Sequence, residues 1–150
     1  MRHNFVKMAL LAALALPATP VWAHEPGSYE SPIVEQRVKR FKQSGGDIQA
    51  IFKQHIGKKN FVAIEQAALR MAAWGRQMPD AFPEGSNSVG ADPAIWENFS
   101  DFKAKSEAFA NAAMRLKAVA GSRKIDPIKA AAQAVGASCK SCHESYRIKH

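Results

Sequence analysis

The chain has 150 residues with two cysteines and five histidines, and its formal net charge is +8 at pH 7. This length is enough for one domain with a single sizeable core. The positive charge favours acidic partners or surfaces, but it is too modest and too scattered along the chain to indicate nucleic-acid binding.

The N-terminus is typical of a secretory signal peptide. A basic start is followed by a short apolar run, which ends in the small-x-small sequence Val21-Trp22-Ala23. We therefore predict a signal peptide over residues 1–23, cleaved after Ala23, and one domain over residues 24–150. A retained membrane anchor is the weaker alternative, because the apolar run is shorter than the ~20 residues that cross a bilayer.

Four amphipathic helices are predicted in the rest of the chain, each beginning at a capping residue. The four starts are Ser31-Pro32, Asn60, Asp92-Pro93 and Asp126-Pro127. The first three helices are predicted to end at Gly57, Pro79 and Gly121. The stretch between Pro79 and Asp92 is rich in proline, glycine and serine without periodicity, and it is therefore predicted to be a long loop.

Apolar residues recur in every predicted helix at alternating spacings of three and four, as in helical bundles. The seam residues are Val34, Val38, Phe41, Gly45, Ile48, Phe52 and His55 in the first helix, Phe61, Ile64, Ala68, Met71, Gly75 and Met78 in the second, Ile95, Phe99, Phe102, Ser106, Phe109, Ala113, Leu116 and Ala120 in the third, and Ile128, Ala132, Val135, Cys139, Cys142 and Tyr146 in the fourth. No alternating pattern long enough for a strand appears. The predicted fold class is all-α, an up-down-up-down antiparallel four-helix bundle whose alanine-rich seams allow close packing.

The pair Gly45-Gly46 interrupts the middle of the first helix. Each glycine weakens a helix by roughly 1 kcal/mol relative to alanine. Two interpretations remain open at this point: a bulky group approaches the backbone here, or the helix is kinked.

The fourth helix carries Cys139-Lys140-Ser141-Cys142-His143, the Cys-x-x-Cys-His motif of c-type haem attachment. Each cysteine sulfur forms a thioether with a haem vinyl group, and the histidine supplies a nitrogen to the iron. On a helix these three residues project from one face. Because both cysteines lie on the seam, the haem is predicted to be buried inside the bundle.

Three other uses of the cysteines fit the sequence less well. A disulfide across one turn of regular helix has poor geometry. A thioredoxin-type site belongs beside a βαβ pattern, which the sequence lacks. Zinc needs four ligands, and the remaining histidines of the exported chain, His24, His55 and His150, have no finger-like spacing.

With this motif at the end of a four-helix chain, the sequence resembles the class II cytochromes c, the cytochrome c-prime family. The resemblance covers essentially residues 31–150. Its motifs are Val135-Gly136-Ala137-Ser138 leading into the haem motif, Tyr146-Arg147 behind it, Phe82-Pro83-Glu84-Gly85-Ser86 in the long loop, Ile95-Trp96 at the third helix, and Arg37, Phe41, Lys42 and Gly45-Gly46 in the first.

The resemblance implies one haem c, attached through Cys139 and Cys142, with His143 as the proximal iron ligand. It also implies that Arg37 contacts a haem propionate and that Arg147 lies near the imidazole of His143. For both arginines the alternative is an ordinary solvated surface position. In the family the residue after the first arginine is often glutamine, and this chain has Val38 there.

Members of the family differ in the residue that faces the iron opposite the histidine. Methionine there gives a six-coordinate, low-spin electron carrier, whereas a residue that cannot ligate leaves the iron five-coordinate and high-spin. This chain has Phe41, and no methionine occurs between Met8 and Met71. His55 is fourteen residues further along, roughly 21 Å at the helical rise, and is too far to replace it.

We therefore expect an open sixth position behind an aromatic ring, in a pocket without a hydrogen-bond donor. Such a pocket stabilises bound dioxygen poorly, whereas nitric oxide and carbon monoxide can bind when Phe41 moves aside. Met71, Met78 and Met114 are interpreted as core residues.

The predicted function is that of a periplasmic haem protein that binds diatomic gases and has a second role in electron shuttling. The alternative is a low-spin one-electron carrier that serves periplasmic redox partner proteins. A catalytic activity is the weaker third possibility, because nothing in the sequence resembles a general base over the iron. An enzyme is therefore not expected, nor is a nucleic-acid partner or a membrane anchor. The resemblance also implies a homodimer through the first two helices. Ile33, Ile51 and Ile56 lie off the seam and are candidates for that surface, and the alternative is that they pack within the monomer.

Overall fold

The computed structural model describes residues 31–148, so the predicted signal peptide, His24 and His150 lie outside the described residues. The α-helices are α1 (Pro32–Ala50), α2 (Phe61–Gln77), α3 (Ala94–Glu97), α4 (Phe99–Ala120) and α5 (Ile125–Tyr146). A π-helical segment, Ile51–His55, continues α1, and a short 3-10 turn, Pro79–Ala81, follows α2. Residues 31–148 contain no β-strand, and the all-α four-helix bundle is confirmed, with α1, α2, α4 and α5 as its long helices.

The predicted caps form at the first two helices. The Ser31 hydroxyl accepts a hydrogen bond from the Val34 N–H at 3.4 Å, and Pro32 occupies the first helical position. The Asn60 side chain accepts from the Ala63 N–H at 3.1 Å. Both helices therefore begin where the sequence predicts.

The third predicted helix is interrupted near its start. Asn98 has φ −124° and ψ 45°, which ends α3 and starts α4 one residue later. The Tyr146 hydroxyl lies 3.4 Å from the Asn98 carbonyl oxygen, and it donates a shorter hydrogen bond, 2.7 Å, to Asp101. The break thus occurs where α5 contacts the start of α4, a tertiary contact that the helical periodicity does not reveal.

The seam of α1 differs from its prediction after Phe41. Ile51 and Ile56 are buried, with 0% and 7% exposure, whereas Phe52 is 44% exposed. Ile51 lies three residues after Ile48, which packs against the core, and therefore shares its face of the α-helix. The π-helical segment begins at Ile51, and in it the Ile56 N–H bonds to the Ile51 carbonyl at 3.1 Å. A π-turn holds one extra residue and so rotates the residues within and after it relative to an α-helical seam.

Helix α1 passes through Gly45-Gly46 without interruption. A Cβ atom built at either glycine meets nothing within 4 Å. The α-helix therefore continues through both glycines, and no described group crowds the backbone there.

Helices α2 and α4 pack closely, as the alanine-rich seams predict. The Ser106 hydroxyl donates a 2.5 Å hydrogen bond to the Gly75 carbonyl. A Cβ on Gly75 would lie 2.8 Å from Ala110 Cβ and 2.9 Å from Phe109 Cδ1. Glycine is therefore required at position 75 by the close approach of the two helices. Phe99, at 38% exposure, is the seam residue of α4 that stays outside the core.

Across residues 31–148, none of the helices is both long enough and apolar enough to span a bilayer.

Candidate cofactor site

The two cysteines lie on α5 as half-buried free thiols, and both pack against the hydrophobic core. Burial raises the pKa of Cys139. Burial also raises the pKa of Cys142 to about 11, although the nearby positive charge of Lys105 opposes this shift. Both sulfurs are therefore neutral thiols at pH 7 and face the interior of the bundle, where the seam places them.

His143 lies one residue beyond Cys142 on α5, and its ring faces the ring of Phe41 on α1. The ring centroids are 6.5 Å apart, with the planes at 64°. The pKa of His143 is lowered, first because packing around the ring disfavours the charged imidazolium and second because the charge of Arg147 repels the added proton. The neutral imidazole that results is the form that binds a metal.

Phe41 belongs to an aromatic wall opposite His143. Its ring lies 5.2 Å from the Trp74 ring at 86° and 6.3 Å from the Phe82 ring at 66°. Met71 and Met78 are core residues, with 1% and 4% exposure, as expected. The side chains packed around His143 on the α1 side are therefore aromatic carbon surfaces without a thioether.

Trp74 is the site residue that the sequence analysis missed. Its side chain is 4% exposed, and its indole N–H has no hydrogen-bond partner within residues 31–148. A buried unsatisfied donor costs about 1–3 kcal/mol, so native proteins rarely keep one. The sequence led us to expect a pocket without a hydrogen-bond donor. The structure adds one donor next to Phe41, the indole N–H of Trp74. Its only signal in the sequence is a tryptophan next to the seam residue Gly75.

Arg37 is 2% exposed, one helical turn before Phe41. One terminal nitrogen donates to the Ala81 carbonyl at 3.2 Å and to the Ser86 hydroxyl at 2.8 Å. The other donates to the Ser86 carbonyl at 2.5 Å and to the Ser88 hydroxyl at 3.1 Å. These bonds use all four N–H groups of the two terminal nitrogens, so only the Nε–H remains for a further acceptor.

The charge of Arg37 is held without an acidic side chain among these four acceptors, all of which are neutral. Burial lowers the pKa of Arg37, which shows that desolvation is the main influence on the guanidinium. The group also stacks on the Phe82 ring, 4.2 Å from its centroid. The alternative of a solvated surface arginine is wrong for Arg37, and its main partners are the residues of the long loop.

Arg147 is exposed and immediately follows α5. Its backbone N–H donates to the His143 carbonyl at 3.3 Å, and the residue pairs with Ala91 in an isolated bridge. Its positive charge acts on His143, as the lowered pKa records.

The six residues singled out from the sequence thus meet at one end of the bundle. The chemistry of this set fits a covalently attached haem, because it combines two half-buried thiols, a neutral imidazole, an apolar wall of aromatic rings and two cationic side chains. The unsatisfied Trp74 N–H also fits, since a haem carries carboxylates that accept hydrogen bonds. The side chains of the site therefore match the chemical groups of a haem.

The sequence and the fold were compared with those of known proteins. The family model described as Cytochrome C' matches residues 32–147. A cytochrome c-556 of Agrobacterium tumefaciens (strain II Chrys) is 36% identical over 119 residues, which cover 77% of this chain and 97% of that protein.

Two solved structures share the fold. One is a cytochrome c' with ligand-controlled dimer dissociation, 31% identical with a TM-score of 0.71, and the match covers 78% of this chain and 95% of that one. The other is the nitric oxide complex of a mutant of cytochrome c prime from Alcaligenes xylosoxidans, 26% identical with a TM-score of 0.69, and the match covers 81% of this chain and 100% of that one. With a family model that spans every described helix and relatives that match over nearly their whole length, the chain belongs to the cytochrome c' family.

Proposed function

We propose that this protein binds nitric oxide or carbon monoxide at a haem iron whose only protein ligand is His143. The observation that carries the proposal is the position of the Phe41 ring, which faces His143 at a centroid distance of 6.5 Å. A phenyl ring has no lone pair to donate, so the side of the iron opposite His143 stays available to an external ligand.

Cys139 and Cys142 attach the haem in this proposal, one thioether each. Both sulfurs are half-buried and pack against the core, so a haem attached to them would lie between α5 and the aromatic wall. The haem would supply the iron that binds the gas, and the protein would supply His143 as the iron ligand, the covalent anchors and the shape of the pocket. Mass spectrometry of the denatured protein tests the attachment, because a covalent haem survives unfolding and the Cys139→Ser, Cys142→Ser double variant would lose it.

Arg37 and Arg147 have separate roles in the proposal. The Nε–H of Arg37 and the Trp74 N–H are the donors offered to a haem propionate. Burial is the larger cause of the lowered pKa of His143, and the positive charge of Arg147 adds to it, which favours the neutral imidazole. Arg37 is thus a weaker propionate ligand than the family resemblance implies, since four of its five N–H groups are bound to the loop.

Gas binding is favoured over electron transfer alone because the rings that pack on Phe41 within residues 31–148, those of Trp74 and Phe82, offer no sixth ligand. The solved nitric oxide complex of a related cytochrome c prime gives the same chemistry on the same fold. The alternative, a low-spin one-electron carrier, needs a second axial side chain, and the two buried methionines of α2 and its C-cap belong to the core. Electron shuttling to periplasmic partners remains compatible with a five-coordinate iron as a second role.

The visible absorption spectrum of the reduced protein tests the proposal. A five-coordinate iron gives a broad high-spin spectrum that changes when carbon monoxide is added. A sharp, split spectrum that does not respond to the gas would show a sixth protein ligand, which is the alternative function.

We also propose that residues 1–23 direct the protein to the periplasm and are removed by cleavage after Ala23. The observation behind this proposal is the basic, then apolar, then small-x-small pattern of residues 1–23. N-terminal sequencing of protein purified from a periplasmic extract tests it, since the mature chain would begin at His24.

A second copy of the chain is the proposed protein partner. Val62 and Leu69 are apolar and exposed, at 63% and 45%, and they are two turns apart on one side of α2. Phe52, at the end of α1 that leads into α2, is 44% exposed. The isoleucines Ile51 and Ile56 are buried in the monomer and do not contribute to this surface.

A further inference from the structure

The aromatic wall extends from Phe41 into the long loop through Phe82. The Phe82 side chain is 4% exposed, and its ring lies 6.3 Å from the Phe41 ring and 4.9 Å from the Phe102 ring. Movement of Phe41 away from His143 therefore requires space that Phe82 now fills.

Phe82 is held in this position from two sides. The guanidinium of Arg37 stacks on its ring, 4.2 Å from the centroid. The same guanidinium donates a hydrogen bond to the carbonyl of Ala81, the residue just before Phe82. The Trp96 indole N–H is shared between the Phe82 and Pro83 carbonyls, at 3.1 Å each. Both the ring and the backbone of Phe82 are therefore fixed by side chains from outside the loop.

Ser86 connects the loop to Arg37. Its hydroxyl accepts from Arg37 at 2.8 Å and donates to the Pro83 carbonyl at 2.7 Å, and its carbonyl accepts a second bond from Arg37. The hydroxyl thus links the buried guanidinium to the backbone next to Phe82. Loss of this hydroxyl leaves the Pro83 carbonyl with the Ser86 backbone N–H, at 3.1 Å, and the shared Trp96 N–H.

A cavity of about 580 Å³ adjoins Phe82, Trp96 and Phe99, and Phe41 is not part of its lining. It therefore lies on a side of Phe82 other than the side that packs on Phe41. This space is partly open to solvent, and in the inference that follows it receives the Phe82 ring when Phe41 is displaced.

We infer that Phe82 is a second gate residue for gas access to the side of the iron opposite His143, and that Arg37, Ser86 and Trp96 are positioning residues that hold this gate closed. The inference rests on the proposed gas-binding function. A gas molecule reaches the iron when Phe41 and Phe82 move together, and the loop contacts set how often they do. A comparison of Phe41→Ala with Phe82→Leu distinguishes failure of the inference from failure of the proposed function.

The experiment measures the carbon monoxide association rate of the reduced holoprotein after flash photolysis. Ser86→Ala removes a charge-assisted hydrogen bond, and Trp96→Phe removes the shared N–H, so each should raise the open population and the rate by up to about tenfold. Ser122→Ala is the matched control. Its hydroxyl also donates to a carbonyl three residues earlier at 2.7 Å, but at the end of α4, remote from the loop.

Two further variants decide the interpretation. Phe82→Leu removes the ring and its stacking on Arg37 but none of the side chains that Arg37 bonds to, and it should raise the rate. An unchanged rate in this variant would overturn the second gate. Phe41→Ala serves as the reference for the proposed function. If Phe41→Ala leaves the rate unchanged, the proposed gas access past Phe41 fails. If only Phe82→Leu and the loop variants are without effect, the proposed function stands and the inference fails.

Hydrogen exchange of the backbone amides of residues 81–91 gives a readout that does not depend on gas binding. Exchange should be faster in Ser86→Ala and unchanged in Ser122→Ala. Faster exchange with an unchanged carbon monoxide rate would show that the loop is a structural brace and not a gate. Unchanged exchange would remove Ser86 from the positioning residues.

Discussion

The ring of Phe41 on α1 faces the ring of His143 on α5, with their centroids 6.5 Å apart and their planes at 64°. The two residues are about a hundred positions apart in the chain, and the bundle brings them to the same end. This relationship places a side chain that cannot bind a metal opposite His143, the residue proposed as the iron ligand, and the predictions about the site follow from it.

Phe41→Ala should speed carbon monoxide binding, because it removes the ring that fills the space opposite His143. Flash photolysis of the reduced variant measures the association rate. An association rate equal to that of the wild type would mean that Phe41 does not control access.

Trp74→Phe tests whether the unsatisfied indole N–H becomes satisfied in the haem-bound protein. If a haem carboxylate accepts from it, the variant holoprotein should lose about 1 kcal/mol of unfolding free energy, the usual value of a hydrogen bond. Urea unfolding measures the difference, and Trp96→Phe, which removes an N–H with known acceptors, provides the scale. A more stable Trp74→Phe holoprotein would mean that the N–H stays unsatisfied, and it would remove Trp74 from the haem contacts.

Much of this arrangement was predictable from the sequence, because the haem motif and the seams of α2, α4 and α5 depend on local spacing. Cys139 and Cys142 lie inside the bundle because they share a periodicity with Ile128 and Val135, which are fully buried. The position of Phe41 relative to the motif came from the family resemblance. The structure adds that its ring and that of His143 lie opposite each other, 6.5 Å apart in an edge-to-face arrangement.

The features that the sequence did not reveal depend on contacts between distant segments. The π-helical turn at Ile51 and the break at Asn98 have no spacing signature, since each arises where a helix meets its neighbours. The bonds from Arg37 to Ser86 and Ser88 join residues about fifty positions apart. A helical periodicity can place Arg37 near the site, but it cannot show that most of its donors are used by the loop.

The raised pKa of Tyr146 predicts that the free energy of unfolding falls at alkaline pH. Burial, followed by the hydrogen bond to Asp101 and the charge of that carboxylate, raises the pKa of Tyr146 to about 12. In the unfolded chain the phenol ionises near pH 10, so between about pH 10 and 12 the unfolded state binds fewer protons and stability falls as the pH rises.

Tyr146→Phe lacks this titration. At pH 7 the variant should be less stable than the wild type by about 1 kcal/mol, because the hydrogen bond to Asp101 is lost. The difference should shrink as the pH rises above 10, and urea unfolding at a series of pH values measures it. A difference that stays constant up to pH 12 would contradict the raised pKa.

Two glycine variants test the packing of the bundle, because they should change its stability in opposite directions. Gly75→Ala should destabilise the protein by about 1–3 kcal/mol, because the new methyl would collide with Ala110 and Phe109. Gly46→Ala should stabilise it by about 0.5–1 kcal/mol, because the position is helical and the added methyl meets nothing within 4 Å. Thermal unfolding of both variants measures the changes. Equal effects on the two glycines would contradict the close contact of α2 and α4.

Leu69→Glu should dissociate the proposed dimer, because it places a charge in the exposed apolar surface of α2. Sedimentation equilibrium of the wild type and the variant measures the change in mass. Val89→Glu is the control, since it introduces the same charge at an exposed apolar residue, 78% exposed, in the long loop. A wild type that sediments as a monomer at all concentrations would rule out this partner.

The central claim is that Phe41 leaves the iron open to an external ligand, and a comparison with Phe41→Met tests it most directly. In the family, methionine at this position gives a six-coordinate, low-spin iron. The measurement is the absorption spectrum of each reduced protein before and after the addition of carbon monoxide. We predict that the wild type has a high-spin spectrum that changes with the gas, while Phe41→Met has a sharp low-spin spectrum. A wild type that already shows the sharp low-spin spectrum and does not respond to carbon monoxide would contradict the claim.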